Sequence, residues 1–203
     1  MNYHNPYPPT HLPRVLSPSE VKAILYTTDN ASDMYAPRDS AILHTLYSTG
    51  CRASELCGMT LEHLDTPNRR LHITGKYKRE RFAFLTPAAL RQLELWLALR
   101  HRWAGPHSYV FLNLPSGAPL IDRVLRLIVA QRGAAALGSL IPVHPHMFRH
   151  SFATHLVDND ADLADVARML GHASLDSTMV YLHTAPNRLA EAHAAAIPEE
   201  LAR

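Results

Sequence analysis

The sequence predicts a mainly α-helical fold carrying one small antiparallel β-sheet, an α+β chain. Three observations predict it. Apolar residues recur at helical spacing over most of the chain. One stretch, "RRLHITGKYKRERFAFL", switches instead to alternation on both sides of a polar tip. Capping residues, prolines and glycines fall at the joints between these segments.

Taken in order, four prolines within the first thirteen residues make 1–15 an extended tail. Ser17-Pro18-Ser19-Glu20 then supplies a capping serine, a proline at the first helical position and a glutamate at the third, opening a helix through about residue 26. A second helix over about 37–48 places Ile42, Leu43 and Leu46 on one side. Gly50 punctuates, and Arg52-Ala53-Ser54-Glu55-Leu56 starts a third. In the alternating stretch Leu71 and Ile73 precede the tip and Phe82 and Phe84 follow it, which predicts a β-hairpin turning over 75–79. Thr86-Pro87 opens a long helix to about residue 103, and "YVFLN" reads as a short strand. From Pro119 onward the pattern is helical, with breaks at 138–145, 159–161 and 171–174.

Composition narrows the function classes. The 203 residues are 47% hydrophobic and 19% charged, which is ordinary for a single globular domain. A net charge of +2 permits a nucleic-acid partner without requiring one. Cys51 and Cys57 stand six apart on what reads as one helix, poorly placed for a disulfide, and no Cys-x-x-Cys zinc spacing occurs. A reducing cytosol is the expected compartment. No signal peptide or membrane-spanning stretch is recognisable, so a soluble cytoplasmic protein is expected.

Several polar residues ask for an explanation. On a helix through "HPHMFRHSFATHL", Phe148, Phe152 and Leu156 form one stripe and His146, Arg149 and Ala153 roughly the opposite one, so a histidine and an arginine share a face away from the core. That face is either a solvated surface with an incidental polar pair or part of a site. Arg52 sits at a helix start, where the macrodipole disfavours a cation, and needs an anionic partner; Glu55 and a phosphate both qualify. The hairpin carries Lys76, Lys78, Arg79 and Arg81, suited to a solvated edge or to a nucleic-acid backbone. His172 follows Gly171, a natural helix stop, and Tyr181 comes nine residues later.

Two arginines, a lysine on a loop, two histidines and a late tyrosine, without a carboxylate pair, a phosphate-binding glycine loop or a metal cluster, suit phosphoryl transfer without metal. Paired guanidinium groups clamp the non-bridging oxygens of a phosphodiester, a histidine adds a donor, a tyrosine supplies a covalent nucleophile and a lysine protonates the departing hydroxyl.

Four motifs together resemble those of the tyrosine recombinases, the phage-integrase or Xer type of site-specific recombinase. "STGCRASELCGMTLEHLD" is similar to the family's first arginine box, "TGKYKRERFAFL" to its β-hairpin lysine box, "HPHMFRHSFATHL" to its His-x-x-Arg box and "LGHASLDSTMVYLH" to its histidine and tyrosine box. The resemblance covers about 16–183 and implies the fold of the DNA breaking-rejoining enzymes, with a catalytic domain over 16–186. It also implies roles. Arg52 and Arg149 would grip the scissile phosphate, His172 would stabilise the transition state, and His146 would act as hydrogen-bond partner or general base. Lys76 would protonate the leaving 5′-hydroxyl, and Tyr181 would form a 3′-phosphotyrosyl link. Lys78, Arg79 and Arg81 are then expected to contact DNA. No metal, ATP or other cofactor is expected. Double-stranded DNA is the expected partner, with four protomers on paired sites, accessory recombinase subunits as further partners, and 187–203 as a docking helix or a loose tail.

Two departures stand out. Tyr77 occupies a position where the family usually has glycine, which leaves Lys78 as the fallback proton donor. The short N-terminal segment leaves no room for the helical domain with which most relatives clamp DNA. The expectation is therefore a single-domain enzyme, a truncated gene or a catalytic fragment, whose DNA affinity rests on phosphate contacts and falls steeply with salt. Two rival readings remain at this level: a DNA-binding or regulatory remnant without independent activity, and a type IB topoisomerase-like relaxing enzyme.

Overall fold

The computed structural model describes residues 14–29, 33–74 and 80–171. Helix α1 (Pro18–Tyr26) begins as its sequence demands: the Ser17 hydroxyl accepts from the Glu20 N–H at 3.2 Å and the Glu20 carboxylate accepts from the Ser17 N–H at 2.8 Å. Helix α2 (Ala36–Thr49) ends at Gly50 in the left-handed conformation, and α3 (Ala53–Cys57) follows. A 3-10 turn (Leu61–His63) leads to β1 (Leu64–Asp65), β2 (Arg70–Thr74) and β3 (Glu80–Phe84), an antiparallel sheet in the order β1-β2-β3. Next come α4 (Pro87–Arg100), the short pair β4 (Leu112–Asn113) and β5 (Ala118–Pro119), then α5 (Asp122–Leu137), α6 (Pro145–Asp158) and α7 (Leu163–Leu170). The α+β class expected from the sequence is the observed one.

One core lies at the centre, where α2 packs against α4 and α6, and α1 against α5. Ile42, Leu43, Leu46, Leu93, Phe111 and Phe148 are fully buried in it. Trp96 donates its indole N–H to the Val110 carbonyl at 2.9 Å, satisfying the polar edge of a buried ring. A smaller apolar cluster of Ala153, Val157, Val166 and Leu170 joins α6 to α7. At the start of the fold the Leu16 N–H donates to Ser151 Oγ at 2.8 Å, and that hydroxyl donates to Met147 O at 2.7 Å, which fastens the entering chain to α6.

Four details differ from the sequence reading. The β2–β3 register pairs Leu71 with Ala83 and His72 with Phe82. Ala83 therefore shares the buried face with Leu71 and Ile73, while Phe82 and Phe84 point outward, with the Arg70 guanidinium 4.6 Å above the Phe82 ring. The face of α6 that carries Arg149 and Ala153 is not solvated, because α2 and α7 both cover it. Cys51 precedes α3 rather than sharing a helix with Cys57. Pro119 lies in β5, so the helical run starts at Asp122, and α4 closes at Arg100, short of residue 103.

Candidate active site

The site is built around the end of α2. Gly50 adopts φ 58° and ψ 22°, and its N–H closes the helix on Leu46 O. A Cβ there would lie 2.4 Å from Phe152 Cδ1 and 3.0 Å from Leu170 Cδ2. Only glycine allows both the backbone angle and the close approach of α6. The approach lets Arg149 Nη1 donate to Gly50 O at 2.7 Å while Nη2 donates to Leu170 O at 2.8 Å. Arg149, 5% exposed, thus holds the carbonyl ends of two helices, where helix dipoles favour a cation.

Arg52 follows two residues after Gly50 and is the N-cap of α3. Its conflict with the helix dipole is resolved by Glu55, which accepts from the Arg52 N–H at 2.8 Å and from its Nη1 at 2.9 Å. The Arg52 side chain nevertheless keeps 37% of its surface exposed, so the ion pair leaves it open to a second anion. Glu55 itself is only 4% exposed. Burial pushes its carboxyl up, but the hydrogen bonds from Arg81 and Arg52 outweigh that and hold it below the ordinary carboxylate range.

His146 stands in the first turn of α6, after Pro145. Its ring centroid is 6.5 Å from that of His144 and 6.4 Å from that of His150. Burial lowers its pKa first, and the positive charges of Arg126, Arg149 and Arg52 lower it further, against a weaker pull from Asp122. Arg52, His146 and Arg149 therefore share one cationic neighbourhood, which disfavours the protonated form of an imidazole that itself remains exposed to solvent.

Arg81 departs from its expected place. Its side chain is 10% exposed and its donors are spent inward: Nη1 and Nη2 on the two Glu55 oxygens at 3.0 and 2.8 Å, and Nε on Met169 O at 2.9 Å. A guanidinium so engaged has these donors turned to the protein interior, whereas the sequence reading expected it on DNA. Lys76, Lys78, Arg79, His172 and Tyr181 lie outside the described residues, as do the segments 1–13 and 187–203. Their neighbours are described. Thr74 and Glu80 pair at the ends of the hairpin strands, and Gly171, in the left-handed conformation, closes α7. Glu55, Arg81 and Arg126 act on the site without a sequence signal of that role; only the three-residue step from Arg52 to Glu55 hinted at the first. Among the described residues no group of three or more histidine, cysteine or carboxylate side chains could hold a metal. No helix among them is long and apolar enough to cross a membrane.

The phage integrase family model matches residues 14–188. The chain belongs to the phage integrase family. Within this family, a tyrosine recombinase XerC of Corynebacterium efficiens is 41% identical over 191 residues, covering 93% of this chain and 60% of the relative. A tyrosine recombinase XerC of Pseudomonas aeruginosa is 39% identical over 195 residues, covering 95% of this chain and 62% of the relative. The chain thus spans about 60% of the length of these relatives. Among solved structures, the XerA recombinase superposes with a TM-score of 0.80 at 26% identity, covering 97% of this chain and 68% of the other. The XerH recombinase bound to a palindromic difH substrate after cleavage gives 0.78 at 28% identity, covering 91% of this chain and 53% of the other. The family and the fold are those the four sequence boxes implied.

Proposed function

We propose that the chain is a site-specific DNA recombinase that cuts and rejoins double-stranded DNA through a 3′-phosphotyrosyl intermediate, with neither metal nor ATP. The observation that carries this is Arg149 bound to the carbonyl of Gly50, two residues before Arg52, with His146 in the first turn of the same helix as Arg149. Two guanidinium groups so fixed oppose the charge that builds on the non-bridging oxygens of a phosphodiester. The Tyr181 oxygen attacks phosphorus, the 5′-oxygen departs, and Lys76 protonates it. His172 donates to the same phosphate, and His146 serves as hydrogen-bond partner or base. In the second step a 5′-hydroxyl of the partner strand attacks the phosphotyrosine, and the tyrosine oxygen leaves and regains its proton. Four protomers act on paired sites, alone or with accessory recombinase subunits, and the segment 187–203 docks between neighbours. The place of action is the cytoplasm, on the nucleoid when bound to DNA. Similarity to XerC proteins and to XerH captured with a DNA substrate supports the reading.

The test is a nicked suicide substrate, from which the released strand diffuses away. Wild-type protein is expected to accumulate a covalent DNA adduct that disappears in Tyr181→Phe. Absence of an adduct with the wild-type chain across candidate sites would overturn the reading. A 5′-thio leaving group, which departs without protonation, is expected to restore cleavage to Lys76→Ala. Restoration of Lys78→Ala instead would move the proton donor to Lys78.

A further inference from the structure

Arg81 lies in β3, opposite Ile73 of β2, on the sheet face that also buries Ala83. An arginine pointing toward a core needs partners for its donors, and Nε, Nη1 and Nη2 each find one, on two other elements. One is Glu55 of α3, gripped through both carboxylate oxygens in a two-pronged arrangement. The other is the Met169 carbonyl in the last turn of α7. The guanidinium also packs on the helix stop, since a Cβ at Gly171 would meet Arg81 Nη1 at 3.1 Å and Cδ at 3.2 Å. A single side chain thus touches the hairpin, the carboxylate that aims Arg52, and the residue immediately before His172 in the chain.

The contact pattern has a directional logic. Glu55 Oε1 accepts from both Arg52 Nη1 and Arg81 Nη1, so the position of Arg52 depends on where Arg81 holds that oxygen. Arg149 fixes the adjacent Leu170 carbonyl, so the end of α7 is held by one arginine from α6 and one from β3. Without Arg81, Glu55 would keep only Arg52 as its charged partner among the described residues and would be free to draw that guanidinium into a two-pronged, competing ion pair.

We infer that Arg81 is a positioning residue for DNA cleavage: it holds Glu55 so that Arg52 stays aimed at the scissile phosphate, and it fixes the end of α7 that directly precedes His172 in the chain. The inference rests on the recombinase reading above. It assigns Arg81 to the interior of the active site rather than to the DNA backbone.

The test compares wild type, Arg81→Gln and Arg81→Lys on two nicked substrates at saturating DNA. One carries an ordinary scissile phosphodiester. In the other a non-bridging oxygen is replaced by methyl, which removes the charge that Arg52 opposes. On the phosphodiester, adduct formation in Arg81→Gln is expected to slow by roughly 10- to 100-fold, the loss typical of charged hydrogen bonds. Arg81→Lys should recover only part of it, because an ammonium cannot hold both Glu55 oxygens. On the uncharged substrate the gap between variant and wild type should largely close. A deficit of the same size on both substrates would mean only a damaged fold, and an undiminished rate on the phosphodiester would mean no role; either overturns the assignment. If Arg81→Gln does not fold, the same two comparisons are made with Arg81→Lys. Failure of wild type to form an adduct on either substrate defeats the recombinase reading and this inference with it, and is distinguished from the other outcomes by the wild-type lane alone.

Discussion

Cys51 sits between Gly50, whose carbonyl Arg149 holds, and Arg52, yet it is chemically silent. Burial pushes its thiol up to about 11 and that of Cys57 up to about 12, so both are protonated and unreactive at neutral pH. The expected outcome is slow alkylation of both cysteines by a small iodoacetamide-type reagent at about pH 7 in the folded protein and full alkylation after denaturation. Rapid labelling of the native chain, read by mass spectrometry, would contradict the burial. At this scale the sequence was most informative where a local pattern dictates geometry. The Ser17 cap and the glycine stops at 50 and 171 appear as their spacing required. Arg81 was not legible, because its partners Glu55 and Met169 lie 26 and 88 residues away and nothing local announces them.

Among the elements, α6 is the one whose helical periodicity misleads. An α6 stripe containing Arg149 and Ala153 reads as polar only if water covers it. Here α7 buries Ala153, and the ends of α2 and α7 bury Arg149. Periodicity finds one buried face; it does not find a helix enclosed on two sides. The hairpin shows a related limit. Alternation predicts the strands but not the residue on which the chain turns, and a shift of one residue exchanges the faces of Phe82 and Ala83. The α2–α6 contact makes a prediction of its own. Gly50→Ala puts a side chain in left-handed backbone and a methyl within 2.4 Å of Phe152. Strain of about 1 kcal/mol together with overpacking of about 1–3 kcal/mol should lower the urea midpoint and displace the carbonyl that Arg149 grips. An unchanged midpoint would show that α6 has room to retreat.

For the whole molecule, histidines that folding partly desolvates contribute to the pH response, His44, His150 and His155 being half-buried and His144 and His146 still exposed. His44, His144, His146, His150 and His155 all have pKa values held down, in every case by burial first. In the unfolded chain each titrates near 6.5. Between that value and its lower folded value the unfolded chain binds more protons. The stability these neutral rings contribute is therefore complete above about pH 6.5 and is lost as pH falls through their folded values. Glu55, also held low, adds a second loss only in the carboxylate range, below about pH 4.3. Melting temperature is expected to fall progressively from about pH 7 to about pH 5, before the carboxylates titrate; a flat profile over that interval would contradict it.

The bond from Leu16 to Ser151 has a mechanical consequence. Ser151 lies two residues beyond Arg149 on the same helix, and its hydroxyl is bonded at once to the incoming backbone and to the helix carbonyl of Met147. Tension applied to the chain ahead of Leu16 is therefore delivered to α6 rather than absorbed by α1. Any load on that segment, from a tether or from bound DNA, reaches Arg149 through a lever only half a helical turn long.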